Sequence, residues 1–145
     1  MTWAGGCLCG AVRYESTAPP RTAGYCHCRM CQRSSGGAFG VFVVFAADTF
    51  RFTQGAPKLH RSSDWAERGF CPECGSQLTF RYLTDPTPGW LGVTVGSLDA
   101  PEAVKMKWHT GVESALPWHR IDDELPRTLT EDDPGLAAVK AARAR

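Results

Sequence analysis

Seven cysteines in three tight clusters constrain this chain more than any other feature. Cys26-His27-Cys28-Arg29-Met30-Cys31 sets three thiols close together, Cys7-Leu8-Cys9 precedes it and Cys71-Pro72-Glu73-Cys74 follows it, and these clusters use every cysteine. Cysteines two or three positions apart are poor disulfide partners, because an unstrained bridge needs a Cα separation and torsion that so short a loop rarely supplies. Seven is also odd, so any oxidised framework strands one thiol. Thiolates converging from short loops on distant segments suit tetrahedral zinc. Free thiols in this number point to a reducing compartment, the cytoplasm.

Counting ligands suggests a partition. A closed structural zinc takes four protein ligands, and a working zinc keeps three and leaves a position open. The pairs Cys7/Cys9 and Cys71/Cys74 can clamp one ion from two segments, leaving Cys26, Cys28 and Cys31 as a three-thiolate nest with an open corner. The alternative is that His27, His60, His109 or His119 fills that corner and both sites are structural. His27 lies between two ligands and is expected to point away from the metal. No Cys-His nucleophile pair stands out, which argues against a cysteine protease.

Length and charge narrow the class. A chain of 145 residues with formal net charge +1 and a pI near 7.6 reads as one domain. It carries no basic block to hold nucleic acid and no apolar run long enough to span a membrane. Its amino terminus lacks the layout of a signal peptide.

Periodicity supplies about nine short strand signals and few helices. Ala11–Ser16 alternates; Phe39–Ala46 is apolar throughout and reads as a strand buried on both faces; Phe50–Thr53, Lys58–Ser63, Gln77–Leu83, Trp90–Leu98 and Val104–Trp108 follow. Asp85-Pro86-Thr87-Pro88-Gly89 reads as a loop. Arg29–Ser35 suits a short helical turn stopped by Gly36-Gly37, which brings Arg33, Ser34 and Ser35 near the open zinc, although an exposed Arg33 is the simpler expectation. Trp118 reads first as a packing residue and second as the rim of a substrate cleft. The domain is expected over residues 1–128. Residues 129–145 form a tail, with Asp133-Pro134 starting a short helix whose small apolar face suggests weak docking.

Taken in order, Gly6-Cys7-Leu8-Cys9-Gly10-Ala11-Val12-Arg13-Tyr14, the Cys26–Cys31 run with Ser34-Ser35-Gly36, Arg68-Gly69-Phe70-Cys71-Pro72-Glu73-Cys74-Gly75-Ser76, and Gly96-Ser97-Leu98-Asp99 resemble the glutathione-dependent formaldehyde-activating enzymes and their centromere-protein-V-like relatives. The resemblance runs from about Gly5 to Pro126. It implies a mainly β fold, the β-tent, with small antiparallel sheets around a structural zinc. It makes Cys7, Cys9, Cys71 and Cys74 the structural ligands, and Cys26, Cys28 and Cys31 the ligands of a second, catalytic zinc. The implied activity is that of a carbon–sulfur lyase joining glutathione and formaldehyde as S-hydroxymethylglutathione. Glutathione carries two carboxylates, which arginine forks suit, so Arg33, Ser34 and Arg61 are candidate substrate contacts, with His60, Ser62 and Arg68 nearby. Two other classes remain open: a zinc-stabilised module that binds glutathione or a protein without turnover, and a structural adaptor like the centromere-protein-V relatives.

Overall fold

The computed structural model describes residues 2–83 and 89–144. In chain order its strands begin with β1 (Trp3–Gly6), β2 (Arg13–Ser16) and β3 (Thr22–Cys26), followed by helix α1 (Arg29–Ser35). Next come β4 (Gly40–Ala46), β5 (Phe50–Gln54), β6 (Lys58–Arg61), β7 (Ala66–Phe70), β8 (Gln77–Tyr82) and β9 (Trp90–Thr94). The short β10 (Trp108–Thr110) and β11 (Arg127–Thr128) precede helix α2 (Pro134–Arg143). The chain is mainly β, as its strand-forming runs of aromatic and β-branched residues require.

Two sheets result. β1, β2 and β5 form an antiparallel three-stranded sheet, and the larger sheet runs β11-β10-β3-β4-β9-β8-β7-β6. The larger one is antiparallel except at its β11-β10-β3 end, where β10 lies parallel to both neighbours. β4, the apolar run, sits between β3 and β9, with Val43 and Phe45 fully buried. Val12, Tyr14, Leu78 and Val93 pack with them, and Cys7 and Cys71 belong to the same core. The Cys7/Cys9 and Cys71/Cys74 pairs are therefore tied, through Cys7 and Cys71, to the core packing.

The segment Val104–Trp108 departs from its expected strand. Its apolar and polar residues do alternate, but the chain makes a 3-10 turn at Pro101–Ala103 and pairs as a strand only from Trp108. Val104 and Met106 pack against the core without a neighbouring strand to complete a ladder. Trp90–Leu98 likewise ends as a strand at Thr94 and turns through Val95–Ser97. Of the loop expected at Asp85–Gly89, only Gly89 lies within the described residues. No helix among the described residues is long and apolar enough to cross a membrane.

Candidate metal centres and an adjoining cleft

The turn between β1 and β2 carries Cys7 and Cys9, and the turn between β7 and β8 carries Cys71 and Cys74. Their four sulfurs lie within 4.8 Å of one another. Both turns use a glycine in the left-handed region, Gly10 at φ 81° and Gly75 at φ 76°, where any side chain would be strained. The bends bring main-chain donors to sulfur: Val12 N–H reaches Cys7 Sγ at 3.2 Å and Cys74 N–H reaches Cys71 Sγ at 3.5 Å. Leu8 N–H donates to Ser76 Oγ at 3.0 Å and links the turns. The Ser76 hydroxyl, followed by the Ser76 and Cys9 amides, pulls the Cys74 thiol down to about 5, which favours the thiolate a metal needs.

The second cluster is built by the β3–α1 junction. Cys26 ends β3, Cys28 caps α1 by accepting from Cys31 N–H at 3.3 Å, and Cys31 lies in the helix's first turn. Again the three sulfurs lie within 4.8 Å of one another. Their ionisation is divided: hydrogen bonds from Cys26 and then Cys31 hold Cys28 below the ordinary thiol range, while the same contact with Cys28 pushes Cys26 far up. Ionising all three together therefore requires positive charge among them. Arg68 supplies some of it, with one guanidinium nitrogen 3.5 Å from Cys31 Sγ. The residue is only 8% exposed, its guanidinium lies over the Phe80 ring, and its second terminal nitrogen has no partner among the described residues. A soft divalent ion such as zinc fits the remaining requirement by its preference for thiolates.

None of the histidines considered for the open corner joins this cluster. His27 turns away from the sulfurs, and its Nε2 lies 2.8 Å from His109 Nδ1. His109 continues to Asp123 at 3.0 Å, and Asp123 also pairs with Arg127. Gln32 Nε2 donates to the carbonyls of His27 and Ser114. These contacts clamp the ligand loop from behind. They depend on β10 lying beside β3, which no local pattern in the sequence signals. His60 is exposed on β6, and His119 is exposed beside Phe39.

The other expected contacts fall elsewhere. Arg33 is exposed on α1; Ser34, also exposed, accepts from Gln77; Arg61 bonds the carbonyls of Ser63 and Asp64 on the outer strand β6. Trp118 is 72% exposed rather than packed, because it lies in the stretch between β10 and β11 that forms no strand. None of these residues lines the cavity that adjoins the second cluster. That cavity is a cleft of about 690 Å³, with Cys26 and Cys31 in its wall. Phe42, Phe80, Tyr82, Trp90 and Trp108 supply much of the remainder, and α2 contributes Ala138 and Val139. Sequence periodicity identified these aromatic residues as strand positions but not as one surface.

A family described as glutathione-dependent formaldehyde-activating enzyme matches residues 2–114. An uncharacterised lyase of Schizosaccharomyces pombe is 30% identical over 84 residues, covering 58% of this chain and 61% of the relative. A Halomonas elongata protein provisionally named as a glutathione-dependent formaldehyde-activating enzyme is 31% identical over 95 residues, covering 59% of this chain and 58% of the relative. The chain thus spans about three fifths of the length of these curated relatives. A crystal structure of a Rhodobacter sphaeroides protein shares the fold, with a TM-score of 0.55, 24% identity, and coverage of 86% of this chain and 99% of its own.

Proposed function

Because the chain belongs to the glutathione-dependent formaldehyde-activating enzyme family, we propose that it forms and breaks the bond between a thiol and a small aldehyde; the family name supplies glutathione and formaldehyde as the pair on which the reaction is first measured. Carbon–sulfur lyase is the class that fits this reaction. The observation that carries the reading is the difference between the two thiol clusters. Four converging sulfurs satisfy a tetrahedral ion, and three leave one position free beside a cleft.

Zinc held by three thiolates has net charge −1, which makes it a weak activator of water and a ready acceptor of a soft fourth ligand, a thiolate. Cys26, Cys28 and Cys31 would hold that ion, and Cys7, Cys9, Cys71 and Cys74 would hold the structural one. Arg68 sits where it offsets the negative charge of the three-sulfur set. The His27–His109–Asp123 chain and Gln32 fix the loop that presents the sulfurs. In the reaction the thiol loses its proton, its sulfur bonds to the carbonyl carbon, and the former carbonyl oxygen takes up a proton. Atoms and electrons balance without an oxidant or reductant.

Exchange spectroscopy on glutathione and formaldehyde at equilibrium tests this proposal, because the uncatalysed reaction sets a measurable background. Metal-loaded protein is expected to accelerate exchange, and Cys28→Ser to return it to background. An unchanged rate with wild type, or equal acceleration by metal-loaded Cys28→Ser, refutes it.

A further inference from the structure

The cleft beside Cys26 and Cys31 is poorly matched to a tripeptide. Glutathione has two carboxylates and an ammonium, and each needs a polar partner when it leaves water. Most of the cleft's polar groups already have a partner within the protein. Arg81 bonds Glu67 at 2.9 Å; Asp133 accepts from the main chain of Gly135 at 2.8 Å and from the Thr110 hydroxyl at 3.3 Å. The Thr128 hydroxyl lies 3.1 Å from that of Thr110, and Thr22 Oγ1 accepts from the Trp108 indole at 2.9 Å. Arg21 differs: it lies over the Trp90 ring, 4.6 Å from its centroid, and no carboxylate among the described residues pairs with it.

Apart from the Tyr82 hydroxyl and the two cysteine sulfurs, the rest of the surface is aromatic and aliphatic, and it is held in place. The ring of Trp108 covers Gly24 so closely that a methyl group there would overlap the indole. The start of α2 packs beside Tyr82, where a Cβ at Gly135 would stand 3.4 Å from the ring. Farther along α2, Val139 is buried, and Lys140 and Arg143 lie over Trp65. The helix that completes this wall lies beyond residues 2–114, the part that matches the family. The tail is thus a docked wall of the cleft.

We propose that this cleft selects a thiol with an apolar, chiefly aromatic body and at most one anionic group, which Arg21 would meet, over glutathione. The proposal rests on the reading of Cys26, Cys28 and Cys31 as a thiol-accepting site. A cavity of this volume is in the range that encloses a small organic molecule, and its lining rewards removal of aromatic surface from water.

Intrinsic tryptophan fluorescence of the zinc-loaded full chain provides the test, since Trp90 and Trp108 line the cleft. Phenylmethanethiol, glutathione and phenylmethanol are titrated separately, the last having the ring but no thiol. Phenylmethanethiol is expected to bind at least roughly tenfold tighter than glutathione. Ala138→Trp, which fills the cleft from α2, is expected to abolish that preference with the zinc content unchanged, and Ala138→Leu to reduce it. Glutathione binding as tightly as phenylmethanethiol, or a preference that survives both substitutions in folded protein, overturns the proposal. Phenylmethanol binding as tightly as phenylmethanethiol supports the apolar cleft while counting against thiol ligation, so the two readings fail separately.

Discussion

Replacing Arg68 with methionine isolates the charge that the second cluster needs. Arg68 is buried, touches Cys31 Sγ at 3.5 Å and has no carboxylate partner among the described residues. Its positive charge therefore acts chiefly on the sulfurs. With zinc bound, three thiolates leave one net negative charge, delocalised over the cluster as the cation is over the guanidinium. At an effective dielectric constant of about 20 and a separation of roughly 5 Å, the attraction is about 3 kcal/mol, or about a hundredfold in affinity. Methionine retains much of the length and apolar contact over Phe80 but removes the charge. Competition with a calibrated chelator, read as zinc retained per chain, should show the Cys26/Cys28/Cys31 site weakened by roughly this factor. The Cys7/Cys9/Cys71/Cys74 site should keep its affinity. Second-site affinity within about threefold of wild type would refute the electrostatic argument, as would equal weakening of both sites.

Tyr14 tests the core by pH. Its phenol is buried, 2.6 Å from Ser97 Oγ, and burial is the main cause that raises its pKa from 10.0 to about 12. The raised value means that the neutral phenol stabilises the fold fully below about pH 10 and that this contribution is lost as pH rises from about 10 to about 12, by up to about 2–3 kcal/mol. Denaturant unfolding of wild type and Tyr14→Phe across that range should show wild type losing stability relative to the variant; parallel curves would contradict the assignment. Gly24→Ala should cost about 1–3 kcal/mol and shift tryptophan emission, because the new methyl displaces the Trp108 indole; unchanged stability and emission would show that the ring is not fixed there.

The parts legible in the sequence are those set by neighbouring residues. The spacing of the cysteines gave the division into four and three because each cluster or pair is a single turn, and Gly10 and Gly75 occupy the left-handed conformations such turns require. The apolar run Phe39–Ala46 is likewise the interior strand β4 that its composition implies. The cleft was illegible for the opposite reason. Cys26, Phe80, Trp108 and Val139 come together through strand order and the docking of α2, and none shares a local motif with the others. The His27–His109 contact joins residues 82 positions apart through the parallel pairing of β10 with β3. At Val104–Trp108 the alternation was present, yet it reflects packing on the core without a strand partner, so period alone misled. Arg33 and Arg61 have chemistry suited to carboxylates, yet both are exposed and neither lines the cleft, so residue type without topology does not place a side chain.

Metal content and its response to thiol test the central claim most directly. Elemental analysis of wild type and Cys28→Ser should give two zinc ions per chain and one, respectively. After cobalt exchange, a thiol should change the metal–thiolate absorption of wild type and leave that of Cys28→Ser unaltered. One metal in both proteins, or a wild-type spectrum indifferent to thiol, would contradict the account of Cys26, Cys28 and Cys31 as an open thiol-accepting centre.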